Sequence, residues 1–210
     1  MGPRNDSNMN PSSPRLVLAS ASPRRAEILR SLGLPFVVVP TDVPEEPLAG
    51  ETAATTARRL AAEKASRAAA RSPESWVLAA DTLVFLDGET LGKPRDDRDA
   101  AAMLGRLAGR EHGVVTAVHL RRGVEPGRGI AETSRVRFGP MSAAEILWYV
   151  GTGEPRDKAG AYGVQGLGAR FIEEVRGSFT NVMGLPARAV YLLLRDTPDP
   201  PLALLALSSG

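Results

Sequence analysis

The stretch RLVLASASPRRAEIL, residues 15–29, decides the fold class, because it passes from the pattern of a buried strand to that of an amphipathic helix. Residues 15–20 are apolar enough for a buried strand. Ser22 suits the position before a helix and Pro23 suits its first turn, and the apolar residues that follow recur at helical spacing. The stretch therefore predicts a strand–turn–helix unit, the building block of α/β sheets.

Two adjacent arginines, Arg24 and Arg25, fall in the first turn of this predicted helix. The first turn carries the positive end of the helix dipole, so each cation there is disfavoured by about 0.3–1 kcal/mol. Two interpretations are open at this point. Either both side chains turn away into water, or an anion binds at the helix start and is held by the guanidinium groups and the backbone N–H groups.

The rest of the chain alternates predicted strands with predicted helices, and one hairpin interrupts the series. Strands are expected at 36–40, at 76–88 as one long strand or a pair, at 112–123 and 129–139 as the hairpin, and in ARFIEEVRG. Helices are expected at 52–71, at 96–108 with Asp96 or Asp97 as the cap, after a Ser142 cap, and at 187–195. GETLGKP is expected to be a turn-rich loop, and DKAGAYGVQGLG is too rich in glycine for regular structure. This order predicts an α/β fold with a mixed β-sheet flanked by helices, arranged as two lobes around a cleft.

The length and composition of the chain limit the number of domains and the classes of partner that we expect. The 210 residues fit one domain, predicted at 15–196, with an N-terminal tail at 1–14 that we expect to be disordered and a C-terminal tail at 197–210. No apolar run approaches the roughly 20 residues that span a bilayer, and the N-terminus lacks the apolar core of a signal peptide. With a net charge of +2, 5% aromatic residues and no cysteine, we expect a cytoplasmic protein without a membrane or nucleic-acid partner.

Lysine is rare in this chain. Of the 26 basic residues, 23 are arginine, and the lysines are Lys64, Lys93 and Lys158. Chance survival is one explanation. The other is that each position needs a compact ammonium on a flexible stem, which a guanidinium group does not replace.

Asp81 lies within the apolar stretch VLAADTLVFL, where an ionised carboxylate is costly unless it is paired or binds a metal. It either caps a turn between two short strands, or it is a general base or metal ligand at a strand end that faces a cleft. Glu45 and Glu46, in the acidic loop TDVPEEPLAGE, are candidates for a second ligand, and a solvated loop is the alternative. Such carboxylates indicate Mg²⁺ or Mn²⁺, whereas His112 and His119 are too few and wrongly spaced for zinc.

Cations in three separate segments could form a cradle for a polyphosphate. They are Arg24, Arg25, Lys64 and Lys93. Known phosphate loops do not account for such a site. In GETLGKP, Gly88 and Gly92 are separated by three residues rather than the four of a P-loop, and GVQGLG does not match the GxGxxG fingerprint.

The segment DKAGAYGVQG, residues 157–166, is unusually rich in glycine. Such a run suggests a backbone that approaches a ligand closely or takes positive φ. Tyr162 could stack on a base, and Gln165 could pair with a base edge through its amide. The alternative is a flexible loop with a structural tyrosine.

Eight motifs occur in one order between about residues 16 and 194. They are ASASPRRAEIL, DVPEE, RLAAEKA, AADT, LGKP, GREHGVVTAV, EPRDKAGAYGVQG and GSFTNVMGLP. Together they resemble the Maf family of nucleoside triphosphate pyrophosphatases. The resemblance implies hydrolysis between the α and β phosphates with a divalent metal (Mg²⁺ or Mn²⁺), a homodimer, and a fold shared with the inosine-triphosphate pyrophosphatases.

The resemblance also implies roles for the residues at the motif positions. The catalytic residues would be Asp81, Lys64 and Lys93, with Asp81 activating water or binding the metal. The substrate-binding residues would be Ser20, Arg24, Arg25, Thr82 and Gln165. The residues at the metal would be Glu45, Asp81 and Gln165.

Within the family, AADT and AGAYGVQG resemble the branch that acts on dTTP and UTP. The branch associated with 7-methyl-GTP tends to carry SDQ and a glutamate in place of Gln165. The acidic loop departs from the usual D-x-D-E pattern, because Pro44 takes the second acidic place. Two other functions stay open: a pyrophosphatase directed at purines (inosine-triphosphate-like or 7-methyl-GTP), and a nucleotide-binding regulator of septation without catalysis.

Overall fold

The computed structural model describes residues 16–46 and 48–198. The predicted tail at 1–14 lies outside these residues, as does the predicted tail at 197–210 apart from its first two residues. The strands are β1 (Leu16–Leu18), β2 (Val37–Val38), β3 (Trp76–Leu86), β4 (Glu89–Leu91), β5 (Glu111–Arg122), β6 (Arg128–Phe138) and β7 (Ile172–Arg176). The helices are α1 (Pro23–Ser31), α2 (Ala53–Arg71), α3 (Asp97–Leu107), α4 (Ala143–Gly151), α5 (Phe179–Met183) and α6 (Ala187–Arg195).

The seven strands form one mixed sheet in the order β2-β1-β3-β5-β6-β7, with β4 paired to β3. The β1–β2 and β1–β3 pairs are parallel, and the other pairs are antiparallel. The long hairpin of β5 and β6 is the one predicted from alternation. The predicted α/β class, with a mixed sheet flanked by helices, is confirmed.

Alternation along β3 distributes its side chains between two sides of the sheet. Ala79 and Leu83 pack with residues of α2 on one side. On the other side, Leu78 and Ala80 join an apolar cluster with α1 and α6, whereas Val84 joins a second cluster with α3 and α4. The two clusters on this second side are the two predicted lobes, and they separate at the middle of β3.

The edge of β3 that faces β1 and β4 has a gap at the same point. β1 pairs with β3 as far as Leu78, and β4 begins to pair at Val84. Between these residues β3 is paired with β5 on its other side. Asp81 and Thr82 lie in this gap on opposite faces of one strand, so side chains from both faces can reach one cavity.

The predicted pattern fails in three places. Residues 36–40 were expected as a buried strand, but β2 is two residues long at the sheet edge and its valines are 42% and 43% exposed. GETLGKP was expected to be a loop, yet Glu89–Leu91 pair with β3. DKAGAYGVQGLG, residues 157–168, was expected to lack regular structure, but it includes parts of three short 3₁₀ turns (Glu154–Asp157, Ala159–Ala161 and Gly166–Phe171).

Helix ends follow the predicted caps closely. Ser142 caps α4 and Asp96 caps α3 through their side chains. Ser22 occupies the N-cap position of α1 but makes no capping bond with its side chain. The helix α5 was not predicted. Across 16–46 and 48–198, no helix has both the length and the apolar character needed to cross a membrane.

Candidate active site

A cavity of about 830 Å³ opens at the gap in the β3 edge. This volume lies within the range of small-molecule sites. Every residue predicted to act in catalysis, substrate binding or metal binding lines it: Ser20, Arg24, Arg25, Glu45, Lys64, Asp81, Thr82, Lys93 and Gln165. The fold therefore brings together residues that the chain separates by up to 145 positions.

The bottom of the cavity is formed by Glu45, Lys64 and Asp81, which we call the charged floor. Lys64 Nζ lies 2.6 Å from Asp81 Oδ1 and 2.7 Å from Glu45 Oε1. Lys64 and Asp81 are both buried, whereas Glu45 is half-exposed and also receives Lys93 Nζ at 3.3 Å. A compact ammonium that donates to two carboxylates explains why lysine, rather than arginine, stands at position 64.

The two carboxylates of the charged floor have pKa values shifted in opposite directions. Burial raises the pKa of Asp81 above its usual value, although the charge of Lys64 acts against this rise. Burial also opposes ionisation of Glu45, but the hydrogen bonds and charges of Lys64 and Lys93 outweigh it and lower the pKa of Glu45. A buried carboxylate with a raised pKa is suited to accept a proton.

The turn-capping interpretation of Asp81 is wrong. β3 runs without interruption from Trp76 to Leu86, so there is no turn at Asp81 to cap. Its Oδ1 is bound by Lys64, and its Oδ2 makes no hydrogen bond within the described part of the chain. One oxygen of Asp81 is therefore available to a ligand in the cavity.

The acidic loop reaches the charged floor despite Pro44. Two arginines of α2 hold the loop through its backbone: Arg59 donates to the carbonyl of Glu46 at 3.0 Å, and Arg67 donates to the carbonyl of Asp42. These bonds bring the loop against α2, where Glu45 meets Lys64.

Arg25 is held at the start of α1 by three hydrogen bonds. Its Nε donates to the carbonyl of Gly184 at 2.9 Å, and its terminal nitrogens donate to Ser20 Oγ at 3.2 Å and Thr82 Oγ1 at 3.1 Å. A guanidinium group has five N–H donors, so two remain for a ligand. The interpretation that both arginines turn into water is wrong for Arg25, whose guanidinium is bound to Ser20, Thr82 and Gly184, whereas Arg24 lines the cavity without a hydrogen bond to the described residues.

Asn181 is linked to Arg25 by hydrogen bonds through Thr116 and Thr82, and the sequence did not single it out. It is fully buried in α5, where its side chain accepts from the Thr116 N–H and donates to Val114 O and Ser134 Oγ. Thr116 Oγ1 lies 3.0 Å from Thr82 Oγ1, which in turn accepts from Arg25. The motif GSFTNVMGLP was the signal for Asn181, but its role as a buried hydrogen-bonding residue depends on tertiary contacts.

Residues 159–168 contribute a second part of the cavity lining, which we call the glycine wall. Gln165 is exposed there, and its side chain has no hydrogen bond to the described residues. Tyr162 is buried: its hydroxyl lies 2.8 Å from His112 Nε2, and its ring packs edge-on against Phe138. Tyr162 is thus a structural tyrosine, as the alternative interpretation held, and does not present its ring for base stacking.

Glu154 was also missed by sequence reasoning. Its carboxylate lines the cavity and accepts hydrogen bonds from Tyr149 and from the backbone of the glycine wall. The third lysine, Lys158, donates to the Glu154 carbonyl and to Asp157 Oδ1, each at 2.6 Å. No sequence pattern around Glu154 predicts that its carboxylate accepts hydrogen bonds from backbone N–H groups more than ten residues away.

The donor set at the charged floor fits one kind of metal site. Within 16–46 and 48–198, no three His, Cys, Asp or Glu side chains are placed together to hold an ion. Mg²⁺ is usually held by one or two carboxylates together with substrate phosphates rather than by a complete protein cage. Glu45 and Asp81, which converge on Lys64 Nζ, fit that arrangement.

Comparison with known proteins gives consistent matches over nearly the whole chain. A "dTTP/UTP pyrophosphatase" of Anaeromyxobacter dehalogenans (strain 2CP-1) is 53% identical over 192 residues, covering 89% of this chain and 96% of that protein. A "dTTP/UTP pyrophosphatase" of Symbiobacterium thermophilum is 49% identical over 180 residues, covering 86% and 92%. A solved dITP/XTP pyrophosphatase of Mycobacterium abscessus is 22% identical, covers 93% and 99%, and has a TM-score of 0.39, too low to support a structural argument.

The family model described as Maf-like protein matches residues 15–197. The match covers all seven strands and all six helices. It also covers every residue of the charged floor and the glycine wall. The chain therefore belongs to the Maf family.

Proposed function

We propose that this protein is a nucleoside triphosphate pyrophosphatase that hydrolyses dTTP and UTP to the monophosphate and pyrophosphate. The observation that carries the proposal is the buried Asp81 carboxylate at the bottom of a cavity that is also lined by arginine and lysine. The choice of dTTP and UTP follows the printed names of relatives about half identical to this chain.

In the proposed reaction, Asp81 accepts a proton from a water molecule whose oxygen attacks the α-phosphorus. The bond from that phosphorus to the α–β bridging oxygen breaks, and the electron pair leaves with pyrophosphate. A general base of this kind contributes about 10²–10⁴-fold. The raised pKa of Asp81 favours this role, because a base is most effective when its pKa approaches the working pH.

The cations of the cavity would hold the triphosphate and its leaving group. Arg25 has two free N–H donors in a fixed position, and Arg24 lies beside it at the start of α1. Lys93 is more than half exposed and is paired with Glu45 at 3.3 Å, so its ammonium is accessible to a phosphate. Such pre-placed donors stabilise charge that develops on the leaving oxygen.

Mg²⁺ or Mn²⁺ is the expected cofactor, and Glu45 and Asp81 would hold it. Gln165, the third predicted ligand, lies at the glycine wall and would contact the metal or the base. When bound, the ion would neutralise part of the phosphate charge. We further propose a cytoplasmic homodimer without a nucleic-acid partner, from the resemblance and the composition.

A pyrophosphate-release screen tests the proposal. Purified protein is incubated with each common nucleoside triphosphate, with inosine triphosphate and with 7-methyl-GTP, in Mg²⁺ or Mn²⁺. We expect release from dTTP and UTP well above the purine nucleotides. In parallel, Asp81→Asn should lower kcat by about 10²–10⁴-fold while nucleotide still binds.

The screen also separates the alternatives. Release confined to purine nucleotides would replace the proposed substrate. Binding of nucleotide without release from any of them would favour a regulator without catalysis. Near-normal turnover by Asp81→Asn would remove Asp81 from the role of base.

A further inference from the structure

Two side chains outside the charged floor hold the turn that carries Gln165. Glu154 follows α4 in the first 3₁₀ turn, and its carboxylate accepts three hydrogen bonds. Oε1 accepts from the Tyr149 hydroxyl at 2.8 Å and from the Gly168 N–H at 3.0 Å. Oε2 accepts from the Leu167 N–H at 2.9 Å. One carboxylate thus fixes the backbone two and three residues after Gln165.

Tyr149 fixes the backbone before Gln165. Its hydroxyl accepts from the Gly163 N–H at 3.1 Å while it donates to Glu154. The tyrosine is fully buried and packs against Phe171, with ring centroids 5.4 Å apart. Burial raises the pKa of Tyr149, so its hydroxyl remains a donor. Gln165 therefore lies between two anchored points on the backbone.

The glycines supply a second, steric observation. A Cβ on Gly166 would lie 2.7 Å from Glu154 Oε2, and Gly166 has a φ of +85°. A Cβ on Gly168 would lie 2.5 Å from the Tyr149 hydroxyl oxygen. Both distances are below 3.0 Å, so a side chain at either position would displace the Glu154 carboxylate or the Tyr149 phenol, and at Gly166 the positive φ adds backbone strain. The close approach that the glycine run predicted is made to this chain's own carboxylate and phenol.

Gln165 depends on these anchors for its position. Its side chain is exposed in the cavity and is not hydrogen-bonded to the described residues, so its placement follows the backbone that carries it. We propose that Glu154, together with Tyr149, is a positioning residue that sets the base preference of the site by fixing the Gln165 turn. This inference rests on the proposed function and takes the base edge, rather than the metal, as the contact of Gln165.

The position of the anchors predicts a separation between base choice and chemistry. Asp81 and Lys64 belong to β3 and α2, and neither contacts the Tyr149–Glu154 pair through a hydrogen bond. Loosening the turn should therefore weaken discrimination between bases more than it slows the chemical step for a bound nucleotide. A general loss of folding would lower both together.

The test compares Glu154→Gln and Tyr149→Phe with a matched control, Glu145→Gln. Glu154→Gln keeps the size of the side chain but replaces one carboxylate oxygen by an NH₂ group. That group is a donor and cannot accept the hydrogen bond that the lost oxygen accepted. Glu145 lies on α4, the helix that carries Tyr149, and accepts from the N–H and hydroxyl of Ser142, but it does not line the cavity. The Glu145→Gln variant therefore measures the effect of losing a helix-capping carboxylate without any change to the cavity.

Hydrogen exchange measures the anchors directly. In Glu154→Gln we expect the amides of residues 166–168 to exchange at least about tenfold faster than in the wild type, with Glu145→Gln unchanged there. In Tyr149→Phe the same acceleration is expected at Gly163. Unchanged exchange in both variants would mean that the pair does not hold the turn, and the inference fails.

Base preference is measured by binding and by turnover. The dissociation constants for dTTP and dGTP are determined in the Asp81→Asn background, which should bind without turnover. We expect Glu154→Gln and Tyr149→Phe each to reduce the preference for dTTP by about tenfold. In the otherwise wild-type enzyme, kcat on saturating dTTP should change by less than about threefold.

The outcomes distinguish this inference from the function on which it rests. A preference that stays unchanged while exchange accelerates, or that falls equally in Glu145→Gln, overturns the inference even if dTTP is cleaved. Conversely, if the wild type cleaves no nucleotide yet prefers dTTP in a manner that depends on Glu154, the positioning role stands and the proposed reaction fails.

Discussion

The charged floor and the glycine wall line one cavity, and they are built by opposite means. The floor consists of paired charges, of which Lys64 and Asp81 are buried and Glu45 is half-exposed: Lys64 donates to Asp81 at 2.6 Å and to Glu45 at 2.7 Å. The wall consists mainly of backbone, held by one carboxylate and one phenol from α4 and the turn after it. The comparison teaches that chemistry and recognition can be supported by separate parts of the fold.

The largest expected effect comes from breaking the floor. Lys64→Met keeps the length of the stem but removes the ammonium, which leaves Asp81 buried without its partner. Removing one member of a buried ion pair costs about 3–5 kcal/mol. Because the charge of Lys64 holds down the pKa of Asp81, that pKa should rise further. We expect kcat/KM on dTTP to fall at least about 100-fold near neutral pH.

The pH dependence makes this prediction specific. A base with a higher pKa needs a higher pH to ionise, so the acidic limb of the kcat/KM profile should move to higher pH in Lys64→Met. The control is Lys93→Met, which removes an exposed ammonium with a single contact of 3.3 Å and should leave that limb in place. An unmoved limb in Lys64→Met would show that Asp81 is not the titrating base.

A smaller effect is expected behind the wall, at His112. Its Nε2 bonds the Tyr162 hydroxyl, whereas its Nδ1 is buried and has no hydrogen-bond partner among the described residues. Burial lowers the pKa of His112 from 6.5 to about 4. The unfolded chain therefore takes up a proton below pH 6.5 and the folded chain does not, so stability is lost as the pH falls from 6.5 towards 4. The total loss is about 3 kcal/mol.

His112→Gln should flatten this dependence, because glutamine does not titrate and can still bond Tyr162. The measurement is urea unfolding of both proteins at pH 7 and pH 4.5, taking the difference between the two pH values in each. Using that difference removes the contributions of carboxylates that both proteins share. An equal loss of stability in the two proteins would contradict the assignment to His112.

The smallest effect is expected at the outer edge of the wall. Arg156 makes two hydrogen bonds of 3.0 Å to Asp97 at the start of α3, and both side chains are largely exposed. Exposed ion pairs contribute little, since solvent screens them. Arg156→Ala should leave Tm essentially unchanged and alter kcat/KM on dTTP by less than about twofold. A large loss of base preference here would show that the wall depends on the surface pair as well as on Glu154.

Much of the floor could be predicted from the chain alone. A carboxylate in the middle of VLAADTLVFL is costly unless it has a partner, and the rarity of lysine marked Lys64. Caps, hairpin and helix lengths followed equally local rules, and α6 was predicted at its observed bounds. Local sequence patterns predict structure correctly where the free energy that decides it comes from interactions within a few residues.

Tertiary structure alone decided the rest. The gap in the β3 edge depends on where two other strands stop pairing, and the exposure of β2 depends on its place at the edge of the sheet. The partners of Asn181 are up to 67 residues away in sequence. The glycines of the wall predicted that another group approaches the backbone closely. Only the fold showed that the groups are the side chains of Glu154 and Tyr149. The sequence determines which polar groups are costly to bury and where only glycine gives the backbone enough freedom. The packing of elements that are distant in sequence decides which partners bind those buried groups.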